Sequence, residues 1–403
     1  MLALVAMNEP LKRICIVGGG FGGLYTALRL SELPWENSQK PEIVLIDKND
    51  RFLFLPLLYE LITEEMQTWE IAPPFEELLS DTSVKFYQSR VTGIDIESKQ
   101  VQLENCPNLS YDKLAIALGG KTPLDIVPGA AEHAIGFRSL EDAYRLGERL
   151  RELEKSNRDK IRVSIVGGGY SGVELACKLA DRLGERGRLR LVERGDKILT
   201  RSPEFNRETA KKALESKRIW LDLETEVESV SADTISLRYK GQVDTIPVDI
   251  VLWTVGTKVS ELIEKLPLQQ NKKGLLSINN TLQVVEAPDI FALGDAADCR
   301  DATGQQVPAT AQVAVQQSDY CAWNIWASMT GRPMLPFRYQ ALGEMMALGT
   351  DNATLSGLGM KFDGTLAYLA RRLAYLYRQP TLKHQLTVGF NWVCAPFVEL
   401  LSN

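Results

Sequence analysis

Arg13-Ile-Cys-Ile-Val-Gly-Gly-Gly-Phe-Gly-Gly-Leu24 and Arg162-Val-Ser-Ile-Val-Gly-Gly-Gly-Tyr-Ser-Gly-Val173 are nearly the same sentence, written twice in one chain. Each is a short apolar run, a glycine cluster and the start of a helical pattern. Leu24, Ala27, Leu28 and Leu30 make the apolar face of the first helix, and Val173, Ala176, Cys177, Leu179 and Ala180 that of the second. Each helix leads to a second strand closed by an acid, Glu42 to Asp47 and Arg188 to Glu193. The glycine roles follow from sterics. Gly18 and Gly167 permit the tight turn, Gly20 and Gly169 let the backbone approach a pyrophosphate, and Gly23 and Gly172 let helix pack on strand. The helix N-terminus offers N–H groups and a positive dipole to phosphate. Asp47 and Glu193 can each accept from a ribose hydroxyl. One such turn is weak as a signal, but two in full context predict two dinucleotide sites and an α/β fold with two Rossmann-like domains.

The rest of the composition is consistent with this. A chain of 403 residues holds two to four domains at roughly 100–200 residues each. With 45% hydrophobic and 24% charged residues it is an ordinary globular protein. Its net charge of −6 argues against a nucleic-acid partner. The six cysteines, Cys15, Cys106, Cys177, Cys299, Cys321 and Cys394, form no Cys-x-x-Cys and read as small buried hydrophobes in a reducing compartment. His133 and His384 are the only histidines, which disfavours zinc clusters and Ser-His-Asp catalysis. No metal site is expected, and the chemistry falls to organic cofactors. Met1–Met7 is too short and unflanked for a signal peptide, with Met7 an alternative start. No apolar run is long enough to span a bilayer.

Further along, residues 84–118 read as strands ending in Lys113-Leu-Ala-Ile-Ala-Leu-Gly-Gly120, and 141–157 as a charged linker helix with a solvated face. Strands return over 219–256, ending in Asp249-Ile-Val-Leu-Trp-Thr-Val-Gly256, and Ile290-Phe-Ala-Leu-Gly-Asp295 is another, tipped by glycine and acid. A helix is predicted from about Pro308 to Met329, ending near Gly331.

These residues resemble the flavoprotein reductases that bind two dinucleotides. Leu293-Gly-Asp295-Ala-Ala resembles their Gly-Asp element, which implies Asp295 on the ribityl chain of FAD; Ala117-Leu-Gly119-Gly and Trp253-Thr-Val-Gly256 resemble their domain-crossover elements. No cysteine pair flanks the flavin positions, unlike the disulfide reductases and sulfide:quinone reductases. Arg51-Phe-Leu-Phe-Leu-Pro56-Leu57-Leu-Tyr59-Glu60 and Ala311-Gln312-Val-Ala-Val-Gln316-Gln317 are instead similar to type II NAD(P)H:quinone oxidoreductases. Trp69-Glu-Ile-Ala-Pro, Trp323-Asn-Ile-Trp-Ala and Leu342-Gly-Glu-Met-Met346 are most similar to the cyanobacterial and plastid branch that reduces demethylphylloquinone, a naphthoquinone of phylloquinone synthesis. The resemblance implies bound FAD, NAD(P)H as co-substrate and a quinone acceptor. It places Arg51, Pro56, Leu57, Val91, Gly119, Ala311 and Gly256 in the cofactor sites with the two glycine loops. It also places Glu174 near the flavin, where it can tune proton uptake.

Gln312 and Gln316 are four apart and share a helix face; a neutral amide donor there suits a quinone carbonyl in an apolar pocket. Glu193 favours NADH, whereas Arg194 with Arg188 and Arg190 can pair with the 2′-phosphate of NADPH. In the tail, Leu366, Leu369, Leu373, Leu376 and Tyr377 fall on one side of a helix and Arg371, Arg372 and Arg378 elsewhere, followed by apolar Val388–Val398. This pattern suits a membrane interface, packing on its own domain, or a homodimer contact. The resemblance favours peripheral attachment on the cytoplasmic side of a thylakoid or plasma membrane.

The expected domains are FAD-binding 1–124 and 282–336, NAD(P)H-binding 125–281, and a C-terminal region 337–403 for membrane contact or dimerisation. The rival readings are a flavin reductase for a ferredoxin-like protein and a redox-sensing flavoprotein.

Overall fold

A computed structural model describes residues 11–36 and 40–402, with side chains to 394; the choice between Met1 and Met7 and the side chains of 395–398 lie outside the described residues. The chain forms two compact units, and each is built on one copy of the repeat. The first comprises Met1–Phe52, Pro74–Gly120 and Val259–Tyr339, and the second Leu53–Pro73, Lys121–Lys258 and Gln340–Asn403.

The sheet of the first unit runs Gln283–Val284, Ala287–Ala292, Lys113–Ile116, Arg13–Val17, Glu42–Asp47, Val84–Gln88. Only the edge pair Gln283–Val284 and Ala287–Ala292 is antiparallel. The sheet of the second runs Trp220–Asp222, Gly187–Val192, Ile161–Val166, Ile250–Trp253, Ala134–Gly136, parallel throughout. The repeated strand lies inside both sheets, flanked by the acid-tipped strand and a returning strand. Each unit also carries an antiparallel three-stranded meander before its returning strand, at Val91–Ser110 and at Thr225–Pro247. The parallel strands are apolar on both faces, as strands covered on both sides must be: Ile14, Cys15, Ile16 and Val17 are fully buried.

The two units divide the chain differently from the expected domains. Residues 259–281 belong to the first unit and not to the nicotinamide insertion, because Val259, Ile263, Leu266 and Leu276 pack in one core with Cys15, Val17, Ile46 and Ile116. Residues 53–73 and the tail from Gln340 belong to the second unit, so 337–403 is not a separate region. Within the tail, Glu344–Ala347, Ala353–Gly357 and Met360–Asp363 form an antiparallel sheet, followed by helices Gly364–Tyr377 and Leu382–Ser402.

Two helices also differ from expectation. The Leu140–Lys155 helix, capped by Ser139 and Asp142, buries Ala143, Leu146, Leu150 and Leu153, so it is a packed element of its unit as well as a charged one. The long helix starts at Ala311, not Pro308: Thr310 caps it by accepting from the Val313 N–H, and Gly331 ends it in the left-handed conformation.

Candidate cofactor sites and a buried ion cluster

The two glycine loops are geometric copies. Gly18 and Gly167 have φ of +100° and +113°, values open only to glycine without strain. A Cβ on Gly23 would lie 1.7 Å from the Gly18 carbonyl oxygen, and one on Gly172 would lie 1.8 Å from that of Gly167. By contrast, nothing lies within 4 Å of a Cβ built on Gly20 or Gly169. The outer glycines are needed for the turn and the packing, while the middle ones face open space where a phosphate can approach. Asp47 accepts from Gly19 N–H at 2.6 Å and Asn49 N–H at 2.8 Å; Glu193 accepts from Gly168 N–H and Gly195 N–H, both at 2.7 Å. Each acid is therefore aimed by its own loop. Burial pushes the Asp47 carboxyl up against the pull of its amide donors.

In the first unit, parallel register brings Gly18, Asp47, Gly119 and Asp295 to the carboxyl ends of neighbouring strands, where ligands of open α/β sheets bind. Gly119 has φ of +65° and open space around it. Asp295 sits in the short turn Gly294–Ala296. Val91 begins a meander strand, Ala311 is the first helical residue, and Arg51 forks onto the adjacent Asp50 carboxylate at 2.9 and 2.8 Å. The glycine loop, the acid aimed by it and the open space at Gly20 and Gly119 fit the dinucleotide part of FAD. Gln312 is not a bare donor: its Oε1 accepts from the Tyr339 hydroxyl at 2.8 Å. Gln316 lies one turn on and is half-buried.

Gln317 was not singled out in the sequence. It is fully buried and its Oε1 accepts from the Gly294 N–H at 2.7 Å, bracing the turn that carries Asp295. The Gln316-Gln317 doublet was its only visible sign. Asn324 of the Trp323-Asn-Ile-Trp-Ala segment is structural: it donates to the Thr281 and Leu335 carbonyls and accepts from Leu335 N–H.

In the second unit, Gly167, Glu193 and Gly256 likewise follow the ends of adjacent parallel strands, a cradle that fits a nicotinamide dinucleotide. Arg194 is exposed beside Glu193. Leu57 is buried in the short 3-10 helix Leu55–Leu61, and the Pro56 carbonyl accepts from Arg371 at 2.9 Å. Glu174 lies buried in the helix Tyr170–Leu183. Its Oε1 accepts from the Ala347 N–H at 2.8 Å and faces Arg371 Nη2 at 3.4 Å. Burial pushes this carboxyl up to about 7, against the opposing pull of Arg371.

In the tail, Arg371 turns inward and the apolar row does not. Arg371 is fully buried, while Leu366, Leu369, Leu373 and Tyr377 on the same helix are 61%, 52%, 64% and 78% exposed. A cation is inside and an apolar row outside because Glu60 and Glu174 await the guanidinium. Lys178 is buried equally, between Glu60 and Glu65. Lys178, Glu60, Glu65 and Arg371 were not legible as a site; the one available signal is a lysine set among Cys177 and Leu179 on an apolar helix face.

The cysteines are free thiols; Cys15, Cys177, Cys299 and Cys321 are buried, and burial pushes Cys177 up to about 12. Among the described residues no group of side chains has the make-up of a metal site.

Comparison with known proteins bears directly on this twin-cradle geometry. The profile of the pyridine nucleotide-disulphide oxidoreductase family matches residues 12–318. The chain belongs to that family. It is 59% identical over 401 residues to demethylphylloquinone reductase NdbB of Synechocystis sp., covering 98% of this chain and 99% of the relative. It is 42% identical to the alternative NAD(P)H-ubiquinone oxidoreductase C1 of Arabidopsis thaliana, over 97% of this chain and 82% of that one. In fold it matches NDH2 of Plasmodium falciparum with a TM-score of 0.85, at 17% identity, covering 96% of this chain and 98% of that structure.

Proposed function

We propose that this protein is an FAD-dependent oxidoreductase that passes two electrons from NAD(P)H to a quinone, a naphthoquinone of the demethylphylloquinone type, without pumping protons. The 59% identity to a demethylphylloquinone reductase along nearly the whole of both chains supports this reading, and the paired dinucleotide cradles agree with it. FAD, when bound, supplies the two-electron carrier between the nicotinamide and the quinone. The chain's own residues hold and aim the groups. The Gly18 loop and Asp47 take the FAD dinucleotide, and Asp295 takes the ribityl chain. The Gly167 loop and Glu193 take the nicotinamide nucleotide, Gln312 and Gln316 orient the quinone, and Glu174 holds a proton.

The deciding experiment is steady-state oxidation of NADH and of NADPH against benzoquinones and naphthoquinones. Turnover highest with naphthoquinones supports the reading; turnover only with a ferredoxin-like protein overturns it. The isolated protein should be yellow. Asp295→Ala should weaken FAD retention by ~1.5–3 kcal/mol through loss of an ionised acceptor, about tenfold to a hundredfold in Kd. Unchanged retention by equilibrium dialysis would remove Asp295 from the site.

Glu193→Gln should shift the kcat/KM ratio toward NADPH, since it removes a charge that repels the 2′-phosphate and leaves Arg194 to pair with it. The glutamine also gives up one of the two backbone amide bonds that Glu193 accepts, so a modest loss with both nucleotides is expected as well. A constant ratio would place Glu193 away from the adenosine ribose.

Membrane attachment is proposed through the exposed row Leu366, Leu369, Leu373, Tyr377, with Leu382, Leu386, Phe390 and Val393 on the last helix. Arg372, Arg378 and Lys383 lie among them in sequence, and basic residues beside an apolar row suit an anionic lipid surface. No helix among the described residues is long and apolar enough to cross a membrane. Truncation near residue 362 is a poor test, because it deletes Arg371 and strips the buried acids of their partner. Leu369→Gln with Leu373→Gln is the better variant, expected to abolish co-sedimentation with anionic vesicles while leaving thermal stability unchanged. Unaltered sedimentation, or a wild-type dimer dissolved by the same changes, would assign this row to another surface.

A further inference from the structure

Five charged side chains of the second unit alternate in sign through its interior: Glu65, Lys178, Glu60, Arg371, Glu174. Lys178 bridges Glu65 and Glu60, and Arg371 bridges Glu60 and Glu174. The middle is sealed: the side chains of Lys178 and Arg371 are 0% exposed and that of Glu60 2%, whereas the two end acids retain 13% and 9%. Three carboxylates face two cations, so the fully ionised ladder carries one unbalanced negative charge. A dry interior disfavours such a charge, and one bound proton cancels it.

That proton has two seats. Glu60 lies between both cations; burial would raise it, but Arg371 and Lys178 hold it well below the usual carboxylate range. Glu174 is raised by burial, and Glu65 by burial and then by the charge of Glu60. The charged groups packed around the ladder are either paired with one another or half-buried at its edge. Tyr368 donates to Glu65 Oε1 at 2.8 Å and Thr63 donates to its Oε2. Burial keeps Tyr59, Tyr170, Tyr368, Tyr375 and Cys177 protonated. Asp181 with Lys217, and Glu154 with Arg182, are self-cancelling pairs. Arg372, which donates to the Tyr368 hydroxyl at 3.0 Å, and Glu344, which accepts from Asn206 at 3.4 Å, are one cation and one acid at the half-buried edge and offset each other.

We propose that this ladder stores one proton, seated on either Glu65 or Glu174, so that uptake at one end favours release at the other. Glu65 is thereby a positioning residue for the proton on Glu174. The link to turnover rests on the quinone reading above. A hydride and a quinone give NAD(P)+ and a quinol only if one further proton is drawn from solution, and the ladder holds one.

The test needs no quinone. Infrared spectra of the holoprotein at neutral pH, in H2O and D2O, report protonated carboxyl groups as a C=O band that shifts on deuteration. The number stored should equal buried acids minus cations. Wild type should show one such band that titrates near neutral pH. Both Glu65→Gln and Glu174→Gln balance the ladder without a proton and should abolish it. Lys178→Met should roughly double it. A wild-type band that survives Glu65→Gln at full amplitude, or no band in wild type, overturns the proposal. Either result leaves quinone reductase activity, assayed separately, to stand or fall by itself.

Discussion

Arg371→Met lowers the free energy of unfolding by ~3–5 kcal/mol, as expected when one partner of a buried ion pair is removed and its acids remain. Arg371 is fully buried, serves Glu60 and Glu174, and donates to the Pro56 carbonyl. Methionine fills much of the volume but supplies no charge and no donor. Arg371→Lys keeps the charge on a single ammonium, which lacks the planar fork that reaches all three partners, so it should recover only part of the loss. Urea unfolding followed by fluorescence measures both. A loss below ~1 kcal/mol for the methionine variant, the size of a solvated pair, would mean that water reaches the ladder. The pH dependence has a definite sign. Glu174 is raised from 4.5 to about 7, so the folded state binds the extra proton between those values. The contribution of Glu174 to stability is therefore greatest below pH 4.5 and is lost as pH rises through about 7.

Gln316→Leu separates the two half-reactions. The side chain keeps its approximate volume and loses its donor, which on the proposed role of Gln316 leaves a quinone carbonyl unpaired at a cost of ~1–3 kcal/mol. This corresponds to a fall of roughly tenfold to a hundredfold in kcat/KM for quinone. Anaerobic stopped-flow reduction of bound FAD by NAD(P)H should keep its wild-type rate, because the proposed nucleotide site is the Gly167 loop with Glu193. Collapse of that rate with normal reoxidation by quinone would put Gln316 on the nicotinamide side. Gln312→Leu also strands the Tyr339 hydroxyl that the glutamine accepts from, so its effect combines the two losses.

Much of this was legible in the sequence because it is local. A glycine at φ near +100°, a helix start three residues on and an acid at the end of the next strand are nearest-neighbour requirements. They appear in the order in which the chain meets them, twice. Asp47 and Glu193 were therefore readable, and so was the Gly294–Asp295 turn. The brace on that turn was not: Gln317 reads as one more polar residue until the Gly294 N–H is found against it. The tail was half legible. Its apolar row was visible at helical spacing, but spacing alone does not say whether that row faces inward.

The sequence by itself determined the twin dinucleotide cradles, the parallel sheets and the family, because those depend on backbone sterics and short-range periodicity. Only the tertiary structure decided that residues 259–281 complete the first core, and that Arg371 turns inward while its leucine neighbours remain exposed. It also joined Glu60, Glu65, Lys178 and Glu174 to that arginine in one ladder. The physical reason is that a charge is buried only where opposite charges are waiting. Here those partners come from segments more than a hundred residues apart along the chain.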